Sequence, residues 1–263
     1  MTRREMLAVL GVASAVPGTA QSPLKFRGLD HIEFTVADVE RSVAFYAQLF
    51  GGADVMKNRT TTRRYIKLGS SYMAIDRADA PRIDHACIGI ENFDITAVHA
   101  FLTSKGLTYR DYPSGRDTGV NDPDGTRLQL SSADGWTSLA AQTASPELRR
   151  LAQPQLFVAA GLSSVEVSVS DLARAFAHYG SLLGPAPARF YKVGAGRLEL
   201  QRGTPGFTRF TIQLGSAIDL SLGRKLEALG ARFAEPPGAY SFRFFDPDGF
   251  LVEVISASEE PIV

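Results

Sequence analysis

The chain repeats itself, and the repeat limits what it can fold into. HIEFTVADVERSVAFYAQLFG (31–51) returns as SVEVSVSDLARAFAHYGSLLG (164–184), with Glu, Val, Asp, Arg, Ala, Tyr, Leu and Gly at the same offsets. DPDGTRLQLSS (122–132) returns as DPDGFLVEVIS (246–256). Self-similarity this long means a duplicated structural unit. The chain has 263 residues, room for two compact domains of ordinary size.

Inside each unit the hydrophobic period switches. Over 31–36, Ile32, Phe34 and Val36 take one face and His31, Glu33 and Thr35 the other, which predicts a strand. Asp38 then caps a helix carrying Val39, Val43, Tyr46 and Phe50 on one side, and Gly51 closes it. RRYIKLG and SYMAIDR read as two further strands. A second pass runs from Asp84: HACIGI as a strand, Asp94 capping ITAVHAFLTSK, then LTYRDYP and a DPDG turn into the strand TRLQLSS. Residues 27–135 thus hold the strand–helix–strands plan twice. Residues 156–258 repeat it, with helices expected near 171–183 and 219–229. The segment 136–155 shows no strand pattern and reads as a linker with a short helix at SPELRR.

Composition narrows the function classes. Lys plus Arg and Asp plus Glu are equal at 28 each, so a nucleic-acid partner has no electrostatic footprint. Cys87 is the only cysteine, which excludes an intrachain disulfide and Cys-rich zinc patterns. No apolar stretch after the first twenty residues is long enough to span a membrane. At the N-terminus, TRREMLA places two arginines ahead of a mildly apolar run that ends in the small residues of GTA. The order resembles a twin-arginine export signal over residues 1–20. It predicts a soluble, periplasmic or otherwise exported mature protein.

These motifs resemble the glyoxalase/bleomycin-resistance/extradiol-dioxygenase superfamily, the vicinal-oxygen-chelate (VOC) proteins. The match runs through LDHIEFTVADVERSVAFYAQLFG, DHACIGI and DPDGTRLQL, and again through SVEVSVSDLARAFAHYGSLLG and DPDGFLVEV. The resemblance implies an α+β fold of two tandem VOC domains. Each would pair two βαβββ modules into a curled mixed-sheet cup with helices outside.

Alternation places His31, His85 and Gln129 on the polar, cup-facing side of three strands, and the family's metal ligands carry over onto these positions. A fourth family position corresponds to Ala74, which cannot ligate; a shift of register would bring Asp76 there instead. Two imidazoles and an amide oxygen suit Zn, Fe, Mn or Ni with positions left open. Gln129 stands where the family commonly has Glu, which departs from the two-His-one-carboxylate set of non-haem iron oxygenases. The alternative for the two histidines is a hydrogen-bonded polar cleft without metal.

The matching second-domain residues are Ser164, Arg209 and Glu253, with Glu199, and they predict an ion-pair cluster rather than a metal site. His99 and His178 fall within helices, as packing residues. The basic stretch 57–64 reads as a solvated hairpin. Glu33 is the one nearby carboxylate available as a base, and Arg116 lies in a loop that can reach the cup mouth to bind substrate. The resemblance implies a metal-dependent glyoxalase-like lyase or isomerase acting on a small molecule with vicinal oxygens. The alternatives are a non-catalytic binder of a small ligand, of the bleomycin-resistance kind, and an extradiol-type dioxygenase.

Overall fold

A computed structural model describes residues 23–257, apart from 51–53, 58–61, 113, 143–146, 151–155, 187, 217, 219–222 and 236–239. The export signal expected over 1–20 lies outside the described residues. Among those described, no helix is long and apolar enough to cross a membrane.

Two mixed sheets carry the fold. The first unit contributes β1 (Phe26–Val36), α1 (Val39–Phe50), β2 (Asp54–Lys57), β3 (Arg64–Leu68) and β4 (Ser71–Arg77). It continues with β5 (Arg82–Ile90), α2 (Ile95–Ser104), β6 (Tyr109–Asp111), β7 (Asp117–Asn121) and β8 (Arg127–Ser132). Its sheet runs β6-β7-β8-β5-β1-β4-β3-β2, so the two βαβββ modules meet at the β5–β1 pair.

After α3 (Gly135–Gln142) and β9 (Glu147–Arg150), the plan restarts with β10 (Ala159–Val169), α4 (Leu172–Leu183), β11 (Phe190–Val193) and β12 (Gly196–Arg202). β13 (Gly206–Leu214), α5 (Gly223–Ala228), β14 (Arg232–Phe233), β15 (Ser241–Phe245) and β16 (Leu251–Ile255) complete it. The second sheet runs β11-β12-β10-β13-β16-β15-β14. The architecture is α+β, with two tandem cups.

The apolar faces of the two sheets share one core. Ile32, Phe34 and Val36 of β1 are fully buried. Phe34 packs against Phe210 of β13 and Phe250, with ring centroids 6.2 and 5.1 Å apart. Helices α1, α2, α4 and α5 bury their apolar residues in this core, outside the cups.

The repeated residues tie the two units together. Tyr46 of α1 donates its hydroxyl to Asp246 Oδ2 at 2.6 Å, and Tyr179 of α4 donates to Asp122 Oδ2 at 3.0 Å. The other oxygen of each aspartate closes its own DPDG turn, accepting from the Asp124 and Thr126 N–H groups, or from those of Asp248 and Phe250. Arg174 and Ser170 hold Asp124, while Arg41 and Ser42 hold Asp248. Each unit's DPDG turn is therefore seated on the other unit's helix. The hairpin turns cross over in the same way: Ser70 N–H bonds Ala160 O, and Ala195 N–H bonds Arg27 O. Gly69 and Gly194 sit in these turns at φ +54° and +57°, and a Cβ on either would fall 2.1–2.2 Å from backbone of the other unit.

One expectation is corrected. Within SPELRR, Glu147–Arg150 is strand β9 rather than helix, paired antiparallel to β2. The open edge of β2 supplies backbone partners that local sequence does not reveal. The helix of this linking segment comes earlier, as α3. The helix expected near 219–229 is described over Gly223–Ala228, with 219–222 outside the described residues.

Candidate metal centre

His31 on β1, His85 on β5 and Gln129 on β8 converge in the first cup. His31 Nε2 lies 3.3 Å from His85 Nε2 and 3.1 Å from Gln129 Oε1. Both imidazoles are buried. Each is backed by the aspartate that precedes it: His31 Nδ1 faces Asp30 Oδ2 at 2.8 Å, and His85 Nδ1 faces Asp84 Oδ2 at 3.0 Å.

Neighbouring residues of a regular strand point to opposite faces, so each Asp–His pair needs a break in the ladder. The register supplies it. Leu29 pairs Ile88 and His31 pairs Cys87, leaving Asp30 as an extra residue on β1. Glu33 pairs His85 and Phe34 pairs Ile83, leaving Asp84 extra on β5. Bulges of this kind re-aim side chains next to functional sites. Asp30 and Asp84 were not singled out by sequence reasoning; the signal was the repeated Asp-His pair in LDHIEF and IDHACI.

The hydrogen-bond balance points to a cation. When both imidazoles carry their protons on Nδ1, facing Asp30 and Asp84, two Nε2 lone pairs and an amide oxygen face one another. A metal satisfies all three; a proton satisfies one contact at a time. The distances agree, since tetrahedral ligands at about 2.0–2.1 Å from a metal lie roughly 3.3–3.4 Å apart. Burial pushes the His85 pKa down, with Glu33 opposing, which favours the neutral imidazole that ligation requires. Metal-binding histidines commonly give their other N–H to a carboxylate, and Asp30 and Asp84 stand at those nitrogens. Arg127 reaches Asp84 and comes within 2.9 Å of His85 Nδ1, closing a compact ion-paired support.

The fourth position is Ala74. β8 places Gln129 beside Cys87, two residues past His85; β4 places Ala74 beside Glu33, two residues past His31. Asp76 instead lies beside Thr35 and binds Arg63 and Thr62, outside the ligand cluster. Tyr72 stacks on His31 with centroids 4.5 Å apart. Glu33 is buried and paired to Arg63 Nη2 at 2.9 Å. Arg116 lines a cavity of about 560 Å³ together with His31, Gln129, Tyr72, Phe93 and Leu139. That volume suits a small-molecule site.

In the second cup the equivalent positions hold Ser164, Glu199, Arg209 and Glu253. The Arg209 guanidinium sits 2.6 Å from Glu199, 3.1 Å from Glu166 and 3.1 Å from Glu253. Arg243 adds a second pair to Glu253 at 3.0 Å. A fixed cation fills this cup. His99 stacks on Tyr109 and His178 packs edge-on to Tyr179, both away from the cups.

The fold is that of the vicinal-oxygen-chelate proteins. No protein-family model matches the chain. Among solved structures, it resembles a Mn(II)-bound glyoxalase from Novosphingobium aromaticivorans, at TM-score 0.67 and 18% identity, covering 90% of this chain and 84% of that one. It also resembles a catechol 2,3-dioxygenase, at TM-score 0.71 and 14% identity over 91% and 90% of the two chains. The 2,3-dioxygenase LapB from Pseudomonas sp. KL28 aligns at TM-score 0.64 and 15% identity over 89% and 93%.

Proposed function

We propose that the chain is a metal-dependent enzyme of the glyoxalase and extradiol-dioxygenase fold, with one divalent ion in its first cup and a lyase or isomerase type of reaction. The convergence of His31 Nε2, His85 Nε2 and Gln129 Oε1, each imidazole backed by a carboxylate, carries this reading. Zn, Fe, Mn and Ni all suit the donor set.

When bound, the ion supplies Lewis-acid polarisation of a substrate oxygen. Three neutral ligands leave its charge undiminished, which favours carbonyl or enediolate chemistry over the carboxylate-ligated iron chemistry of ring cleavage. Glu33 faces the cup across from His85 and is the group positioned to hold a proton taken from substrate. Arg116 at the cavity wall anchors an anionic end of a small molecule with vicinal oxygens.

A non-catalytic binder of a small ligand is the second reading. It is favoured by Arg63, whose ion pair with Glu33 occupies the carboxylate that a proton acceptor would need free. We also read the chain as exported by its twin-arginine segment. Arg3→Lys with Arg4→Lys should trap the precursor in cells, and unchanged export would refute that.

The test of the metal reading is metal content after purification without chelators or a His tag, followed by titration with Mn²⁺, Zn²⁺, Ni²⁺ and Fe²⁺. About one ion per chain is expected, with His31→Ala and His85→Ala each losing it. A chain that takes up none of these ions refutes the reading. Deuterium wash-in from D₂O at the α-carbon of a simple α-hydroxyaldehyde then separates catalysis from binding; Glu33→Gln should abolish it while sparing metal uptake.

A further inference from the structure

α3 follows the first cup directly, and its first residue contacts the support of a ligand. The Gly135 N–H donates to Asp30 Oδ1 at 3.2 Å, while Oδ2 of the same carboxylate faces His31 Nδ1 at 2.8 Å. Asp30 is buried and lies at the N-terminus of α3, where backbone N–H groups and the helix dipole favour an anion. The approach is close: a Cβ on Gly135 would fall 2.2 Å from Asp30 Oδ2. A second line of contact runs alongside. Trp136 packs against Tyr72 at 5.8 Å, and Tyr72 stacks on His31 at 4.5 Å. Gly135 and Leu139 also line the cavity that contains His31 and Gln129.

We propose that α3 is a metal-responsive wall of the first cup, coupled to the ion through Asp30; this rests on the metal reading above. The coupling lies in one carboxylate shared by His31 Nδ1 and the Gly135 N–H. Ligation through Nε2 obliges the His31 proton to occupy Nδ1, where it donates to Asp30 Oδ2 and leaves Oδ1 for the Gly135 N–H. An ion on Nε2 fixes the His31 ring, and with it the carboxylate that holds the first amide of α3. Coupling of this kind is reciprocal, so whatever loosens α3 must weaken metal binding by the same factor. Carboxylates behind metal-bound imidazoles are worth about 10–100-fold in metal affinity.

The experiment is a Mn²⁺ titration of the full chain, read by calorimetry, by fluorescence and by hydrogen exchange at the Gly135 amide. Trp136 is the only tryptophan, so its emission reports on α3 without a label. Metal should shift Trp136 emission and slow Gly135 exchange, both saturating with the calorimetric isotherm. Asp30→Asn keeps the shape but offers one acceptor oxygen where two are used. It should lower Mn²⁺ affinity at least about tenfold and speed Gly135 exchange even in the metal-bound form. Gly135→Ala should lower affinity comparably without touching any ligand, with folding checked by circular dichroism. Wild type that binds Mn²⁺ while Trp136 emission and Gly135 exchange stay unchanged overturns the coupling alone. So does a folded Gly135→Ala with wild-type affinity. Wild type that binds no metal overturns the coupling and the functional reading together.

Discussion

Tyr46→Phe removes one oxygen and tests how the two units are joined. The Tyr46 hydroxyl is fully buried and donates to Asp246 Oδ2 at 2.6 Å. Burial is the largest influence on that carboxyl and pushes its pKa from 3.8 up to about 6; the bonds from Tyr46 and Phe250 pull the other way. A hydrogen bond to a charged group contributes about 1.5–3 kcal/mol and one to a neutral group about 0.5–1.5 kcal/mol. The substitution should therefore cost about 2 kcal/mol at pH 8, where Asp246 is ionised. At pH 5, where the native carboxyl is protonated, the cost should fall to about 1 kcal/mol.

The wild type has its own slope. A native pKa above the unfolded one means the folded state binds the proton more tightly. Stability from this group is then fully present below 3.8 and is lost as pH rises through about 6. Two pKa units correspond to about 3 kcal/mol. Urea unfolding followed by Trp136 fluorescence and far-UV circular dichroism at both pH values measures both effects. An equal cost at pH 5 and pH 8, or one below about 0.5 kcal/mol at pH 8, would show that Tyr46 does not stabilise an ionised Asp246.

Arg209→Ala strands Glu166, Glu199 and Glu253 in the second cup. It should cost about 3 kcal/mol near pH 7.5, as read by denaturant midpoints. Gly69→Ala drives a Cβ into Ala160 O and should destabilise the chain by more than about 2 kcal/mol. Gly106→Ala, at φ +66° in open space, should cost only about 1–2 kcal/mol of backbone strain. Gln129→Glu adds a charged ligand and should tighten Zn²⁺ binding about tenfold or more in a competition titration. Arg116→Ala should weaken binding of a carboxylate-bearing ligand to the metal-loaded chain while leaving metal affinity intact, which two successive calorimetric titrations separate.

Alternation was enough to turn His31, His85 and Gln129 to the same side, because each strand's other face is a clean apolar run. It was not enough for Asp30 and Asp84. Their contact with the following histidine depends on bulges, and a period-two reading sends adjacent residues to opposite faces. β9 was hidden for a different reason: its pairing comes from the open edge of β2, not from ELRR itself. Arg41 and Arg174, Tyr46 and Tyr179, and the two DPDG turns stood out as repeats, but their meaning was not local. Each partners a residue in the other copy, at a separation no window along the chain spans. Arg209 was legible as an ion-pair residue, since carboxylates surround it on the strands the repeat aligned.

The crossed seating of the DPDG turns also bears on how the protein is made. When the first repeat has emerged from the ribosome, Tyr46 still lacks Asp246, which lies 200 residues further along. Phe34 lacks Phe210 and Phe250 as well, so the part of the first sheet's apolar back that its own helices leave open waits uncovered through most of synthesis. A nascent chain in that condition needs shielding, and long-range closure of this kind is slow. The last turn to be translated is therefore the one that finishes the first domain, and a chain truncated before Asp246 would lose both halves rather than one.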